Sequence, residues 1–186
     1  MDKQYQNIII GIDPGTNVMG YALLGVNGKK PELIVMGVLR LNRMEDHYMR
    51  LRHIYERVSG VINEYLPDEM AIEAPFYGKN VQSMLKLGRA QGVVIAACLH
   101  ANMEVYEYSP RKIKQSITGN GNASKEQVAA MLARMYNLTD ASPYLDATDS
   151  LAAAVCHFYQ HKITFGTQKS TDWKSFIANN ENRVIK

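Results

Sequence analysis

The chain has 186 residues, a formal net charge of +3, and 46% hydrophobic and 21% charged residues. That length suits one domain with a tail, and the composition excludes a wholly disordered or fibrous protein. The longest uninterrupted apolar run, Val93 to Leu99, is far short of the ~20 residues of a membrane span. The polar start, Met1 to Asn7, lacks an apolar signal core, so a cytoplasmic protein without membrane attachment is expected.

Asn7 to Ile12 is a continuous β-branched run, the pattern of a strand covered on both faces, and Asp13-Pro14-Gly15 ends it in a sharp turn. Val18 to Val26 and Leu33 to Leu39 read as two further strands joined at Asn27-Gly28, a hairpin signal. Glu45 to Tyr65 has helical period, with Tyr48, Leu51, Ile54, Tyr55, Val58, Ile62 and Tyr65 on one stripe. A short strand, Met70 to Glu73, stops at Pro75; a long helix over Val81 to His100 and a strand over Met103 to Tyr106 follow. Ser109-Pro110 opens a short helix. Ser124 to Gln127 is a capping box whose helix is expected to bury Val128, Met131, Leu132, Met135 and Tyr136. Ser142-Pro143 caps a last helix running to about Tyr159, and Cys98 and Cys156 are expected as reduced, buried thiols. This order predicts an α/β fold, a central mixed five-stranded sheet flanked by helices, over residues 1–162, with a polar tail over 163–186.

Charge is unevenly distributed. Residues 76–125 carry 7 basic and 2 acidic side chains, whereas residues 1–75 carry 8 and 10 and residues 126–160 carry 1 and 4. A basic middle between acidic ends suggests a polyanion beside a carboxylate site. Asp13 and Glu73 end strands, where α/β sheets usually place their sites. Asp146 and Asp149 lie three apart on one face of a helix that is otherwise apolar. Buried charges are costly unless paired or metal-bound. The bland account is that both aspartates sit in the first turns of their helix, where the dipole favours acids. If that helix packs beside the two strand ends, four carboxylates converge and call for divalent cations. Oxygen donors without His or Cys suit Mg²⁺ or Mn²⁺. Two such ions ~3.5–4 Å apart serve in-line displacement at a phosphodiester.

Five segments occur in order: Gly11-Ile-Asp-Pro-Gly-Thr16, Ala71 to Asn80, Leu85 to Val93, Tyr108 to Lys114, and Asp146-Ala-Thr-Asp149. Together they resemble the RuvC family of Holliday junction resolvases, from about Ile8 to His157. The resemblance implies an RNase H-like fold, a homodimer, and Mg²⁺-dependent paired nicking of four-way junction DNA in recombination and repair. It also implies two metal ions per subunit and the RuvA–RuvB branch-migration complex as partner. The family's catalytic and metal-binding acids fall on Asp13, Glu73, Asp146 and Asp149, its basic catalytic-face residues on Lys114 and Lys125, and its junction-contacting aromatic on Phe76. Tyr77-Gly78 after the aromatic, Ser109-Pro110 before the basic helix and a long polar tail depart from the family pattern.

An exposed Phe76 beside a nuclease site can stack on an unpaired base, although an aromatic after a strand can equally be core. Lys79, Lys86, Arg89, Arg111, Lys112, Lys114 and Lys125 can meet phosphates or merely solvate the surface; Lys79, Arg111, Lys114 and Lys125 are the chosen DNA contacts. The five histidines show no ligand spacing and read as structural or surface residues. Gly88 and Gly92 lie four apart in a helix apolar on both faces, which either monomer packing or a dimer contact explains.

Asp-Pro-Gly-Thr after a first strand also resembles the phosphate loop of sugar kinases and actin-like ATPases, but 186 residues cannot hold the two domains those folds need. The remaining alternatives are an RNase H-like nuclease acting on another structured nucleic acid, and a junction-binding module that does not cleave.

Overall fold

The computed structural model describes residues 4–75, 80–138 and 145–166, with backbone alone at 145, 146 and 162–166. Its strands are β1 (Asn7–Asp13), β2 (Val18–Asn27), β3 (Lys30–Arg40), β4 (Glu69–Glu73) and β5 (Glu104–Tyr108). The helices are α1 (His47–Tyr65), α2 (Val81–His100), α3 (Pro110–Thr118), α4 (Lys125–Tyr136) and α5 (Leu145–Gly166). The five strands form one sheet in the order β3-β2-β1-β4-β5. β1, β2 and β3 pair antiparallel, whereas β4 runs parallel to β1 and β5 parallel to β4. The expected mixed sheet is therefore present. β3 begins earlier than its apolar run indicates because the hairpin ladder extends through Lys30 and Pro31.

Successive strand residues point to opposite faces, and the core divides accordingly. Ile8, Ile10 and Ile12 pack with Ile54, Val58 and Ile62 of α1 and Val94 and Cys98 of α2. Ile9 and Ala71 pack on the other face with Ile113, Ile117, Leu132 and the apolar length of α5. Both cysteines are buried and free.

Gly11 lies on that second face, and a Cβ there would sit 2.1 Å from the carbonyl oxygen of Ser150 and 2.8 Å from the Cβ of Ala154. The bare backbone of β1 thus lets α5 settle directly on the sheet. Gly15 is equally constrained, since a Cβ would meet the Val18 carbonyl oxygen at 1.7 Å in the turn that follows Asp13.

The helix starts follow their side-chain signals. Asp46, Ser109 and Ser124 accept hydrogen bonds from the backbone N–H of Met49, Lys112 and Gln127, and Ser124 with Gln127 completes a capping box. Two stripes are narrower than their periodicity suggests. Tyr48 and Tyr55 of α1, and Met131 and Met135 of α4, are exposed rather than core. Each helix has one partner side, so residues at the edge of the apolar arc remain in water. The expected cap at Ser142-Pro143 lies outside the described residues, as do Phe76, Lys79 and residues 167–186. α5 continues to Gly166, past both the end expected near Tyr159 and the boundary set at residue 162. No helix among the described residues is long and apolar enough to cross a membrane.

Candidate active site

The parallel register of β1 and β4 pairs Gly11 with Ala71 and Ile12 with Ile72, so Asp13 and Glu73 are adjacent, one residue beyond the last pair. Alternation places Glu73 on the same face as Ala71, the face that α5 covers. α5 packs across β1, β2 and β4 and brings Asp149 to this end of the sheet. Glu73 and Asp149 line a pocket of about 240 Å³ together with Pro110, Ile113, Lys114, Lys125, Val128 and Ala152. α3 contributes Lys114, and α4 contributes Lys125 from its first turn.

The electrostatics match a site built for a cation. Burial pushes the Glu73 carboxyl above its ordinary value and the charge of Asp149 adds to this, with Lys125 and Lys114 partly offsetting both. Lys125 Nζ donates to Asp149 Oδ2 at 2.6 Å. That hydrogen bond raises the ammonium pKa; burial opposes it, and the charges of Asp149, Asp13 and Glu73 reinforce it. Asp13 therefore acts on the same lysine as the other two acids. Their donor set is all carboxylate oxygen, with no histidine or cysteine among the described lining residues, which suits a hard divalent cation.

Of the residues singled out in the sequence, Asp13, Glu73, Asp149, Lys114 and Lys125 come together. Asp146 belongs to α5, one turn before Asp149, but its side chain lies outside the described residues. Arg111 is exposed on α3, near this end of the molecule.

The histidines need a correction. His157 and His161 stand four apart on α5, and both face Glu69 at the start of β4, with the three ligand atoms within 4.8 Å of one another. The spacing of the two histidines was a legible signal; their partner, 88 residues from His157, was not.

Asp13, Glu73, Asp149 and Lys114, which meet at this end of the sheet, belong to the segments whose order carried the family resemblance. A sequence model described as "Crossover junction endodeoxyribonuclease RuvC" matches residues 9–157. A relative from Porphyromonas gingivalis bearing that name is 55% identical, covering 96% of this chain and 97% of its own. One from Bacteroides fragilis is 57% identical, covering 96% of each chain. Among solved structures, Thermus thermophilus RuvC in complex with Holliday junction substrate superposes with a TM-score of 0.79 at 31% identity, covering 86% of this chain and 97% of that one. The fold is RNase H-like, and the chain belongs to the RuvC family of crossover junction endodeoxyribonucleases.

Proposed function

We propose that this protein is a structure-specific endodeoxyribonuclease that resolves Holliday junctions by paired, symmetric nicks. The observation that carries the reading is the meeting of Glu73 and Asp149 with Lys114 and Lys125 in one pocket, with Asp13 beside it. Family membership supports it, as does the likeness to a RuvC solved with Holliday junction substrate.

Asp13, Glu73, Asp146 and Asp149 are the residues we assign to hold divalent cations, two Mg²⁺ per subunit with Mn²⁺ as a substitute. When bound, these ions supply neutralisation of the phosphodiester and activation of the attacking water. The chain's own residues set the stage. Glu73, whose burial works against its charge, and Asp149 form an anionic wall that a cation stabilises. Lys125, paired with Asp149, and Lys114 place positive charge at the mouth of the pocket, where it stabilises charge developing on the phosphate. Arg111 on α3, and Phe76 and Lys79 on the segment between β4 and α2, are the further DNA contacts we assign.

Two matching cuts on one junction require two matching sites, so we assign a two-fold homodimer. The outer face of α2 is its candidate interface: Val81, Leu85 and Leu99 are exposed. Beyond the adjoining residues and backbone of α2 itself, a Cβ built at Gly88 or Gly92 meets no described atom within 4 Å. The RuvA–RuvB branch-migration complex as partner, a cytoplasmic location, and a nuclease domain over 1–162 followed by a tail complete the reading.

The test is a nicking assay on a four-way junction, a linear duplex and an RNA–DNA hybrid, with and without Mg²⁺. Mg²⁺-dependent symmetric nicks in the junction alone are expected. Preference for the hybrid would favour a nuclease acting on another structured nucleic acid. Tight junction binding without nicks would leave a binding module.

A further inference from the structure

α5 serves both ends of the sheet. From Asp149 to His157 is about 12 Å of helix, and from Glu73 back to Glu69 is about 13 Å of strand. The helix that brings Asp149 to Glu73 therefore brings His157 to Glu69, and alternation places both glutamates on its face. His157 is fully buried, and its Nε2 lies 2.8 Å from Glu69 Oε2. His161 is part-exposed, with Nδ1 3.6 Å from the other oxygen of the same carboxylate. The two imidazoles lie nearly in register, ring centroids 5.0 Å apart, and Tyr106 packs on His157 at 4.4 Å.

The surroundings are those of a ligand set held from behind. Tyr108 Oη is 2.7 Å from His157 Nδ1. A phenol both donates and accepts, so it serves His157 with the proton on either nitrogen, including the tautomer that leaves the Nε2 lone pair free. Asn7 Nδ2 donates to Glu69 Oε2 at 3.1 Å, while its Oδ1 is a buried acceptor with no protein donor. Burial works against the Glu69 charge, but hydrogen bonds from His157 and Asn7 together with the charges of His157 and His161 outweigh it and keep the carboxyl below its ordinary value. A cavity of about 520 Å³ opens beside the group, lined by Asn7, Asp68, Glu69 and His161 among others, with no lysine or arginine among the described lining residues.

We propose that Glu69, His157 and His161 form a second metal site, separate from the carboxylate cluster, that takes a borderline divalent cation of the zinc class. Two imidazoles and one carboxylate suit Zn²⁺ and not Mg²⁺. The adjacent cavity leaves room for a water as fourth ligand. Such an ion ties the second half of α5 to the start of β4, with Tyr108 and Asn7 as outer partners.

The site stands independently of the nuclease reading, so its test saturates the carboxylates with Mg²⁺ first. The full chain, stripped with chelator and returned to excess Mg²⁺, is titrated with Zn²⁺ by calorimetry and with Co²⁺ by visible absorption. We expect one Zn²⁺ per chain, an intense Co²⁺ ligand-field spectrum, and a melting temperature raised by Zn²⁺. His161→Gln, at a part-exposed position, weakens Zn²⁺ binding by more than ~100-fold and abolishes the melting shift. Tyr108→Phe weakens it by about 10- to 100-fold, and Asp149→Asn leaves it unchanged. His161→Gln is checked for folding by circular dichroism, with Glu69→Gln as the second variant. A wild type without Zn²⁺ binding above Mg²⁺ overturns the site, as does binding as tight as wild type in both variants or loss of binding in Asp149→Asn.

Discussion

Lys125 Nζ and Asp149 Oδ2 lie 2.6 Å apart, joining the first turn of α4 to α5 across the candidate active site. The capping box at Ser124 fixes where α4 begins, and hence where Lys125 stands. The charges of Asp149, Asp13 and Glu73 all act on this ammonium. Its side chain is 71% exposed and that of Asp149 17%, so the pair is screened on the lysine side and contributes little to stability. Its consequence is positional: a positive charge is held in the lining of a pocket that also carries Glu73 and Asp149.

Lys125→Met is therefore expected to lower the rate of junction nicking by about 100-fold, the scale of losing one group that stabilises transition-state charge. Junction affinity should change by no more than about tenfold, because one phosphate contact among several is removed. Single-turnover nicking measured beside binding separates the two effects. Equal losses in both would make Lys125 a DNA anchor only.

Glu73 gives a pH prediction whose sign follows from its environment. Burial and Asp149 raise its pKa in the folded state above the ordinary value of 4.5. Its favourable contribution is thus complete below the unfolded carboxyl pKa, and it is lost as pH rises through the folded value. In chelator at neutral pH, Glu73→Gln should melt higher than wild type. The gap should close as pH falls below the unfolded value. Mg²⁺ should stabilise wild type more than the variant. Thermal melts across pH, with and without Mg²⁺, read all three; a variant that melts lower throughout would mean that Glu73 is not held against its charge.

Glu69 has the opposite sign. Burial disfavours its charge, but His157 and Asn7 hold its pKa below the ordinary value. Its stabilising contribution is present above the unfolded carboxyl pKa and disappears as pH falls through the folded one. In chelator, Glu69→Gln should destabilise at neutral pH and converge with wild type at acid pH. Parallel melting curves for the two proteins would remove the charge-dependent part of this network.

These two glutamates show what was legible in the sequence and what was not. Glu73 stands at the end of an apolar strand before a proline, and chain order alone marks it. Glu69 begins the same strand with no such punctuation, and its role depends on α5 returning 88 residues later. Long-range pairing of that kind leaves no local pattern. Met131 and Met135, expected in the core, are exposed for a related reason, as are Tyr48 and Tyr55 on the stripe of α1: periodicity gives the direction of an apolar arc but not how far a neighbour covers it. The sheet, by contrast, was readable because β-branched runs and turn residues act within a few positions.

Gly11 marks where the fold and the site depend on each other. A Cβ there meets backbone oxygen of Ser150, one residue from Asp149, and backbone cannot swing away as a flexible side chain would. Gly11→Ala is expected to destabilise by at least about 2 kcal/mol through overpacking, and to slow nicking by shifting α5 relative to Asp13 and Glu73. Urea unfolding and single-turnover nicking measure the two. A variant as stable and active as wild type would show that α5 has slack at this contact.

The proposed dimer makes the last prediction. Leu85 is 53% exposed on α2 and Val81 and Leu99 are exposed with it, while the opposite side of this helix packs against α1 and β5. No described element outside α2 comes within 4 Å of a Cβ built at Gly88 or Gly92, so a facing helix has room to come close there. Leu85→Lys places a charge in the centre of that face, and Gly92→Leu fills the space a partner would occupy. Each should shift the protein from dimer to monomer in sedimentation at micromolar concentration. Neither residue lines the carboxylate pocket, so each subunit should still cut one strand. The expected product is then a singly nicked junction that accumulates instead of passing to two duplexes, because the second cut no longer follows on the same complex. A wild type that sediments as a monomer both free and on junction DNA would rule out this dimer and with it the coupling of the two cuts.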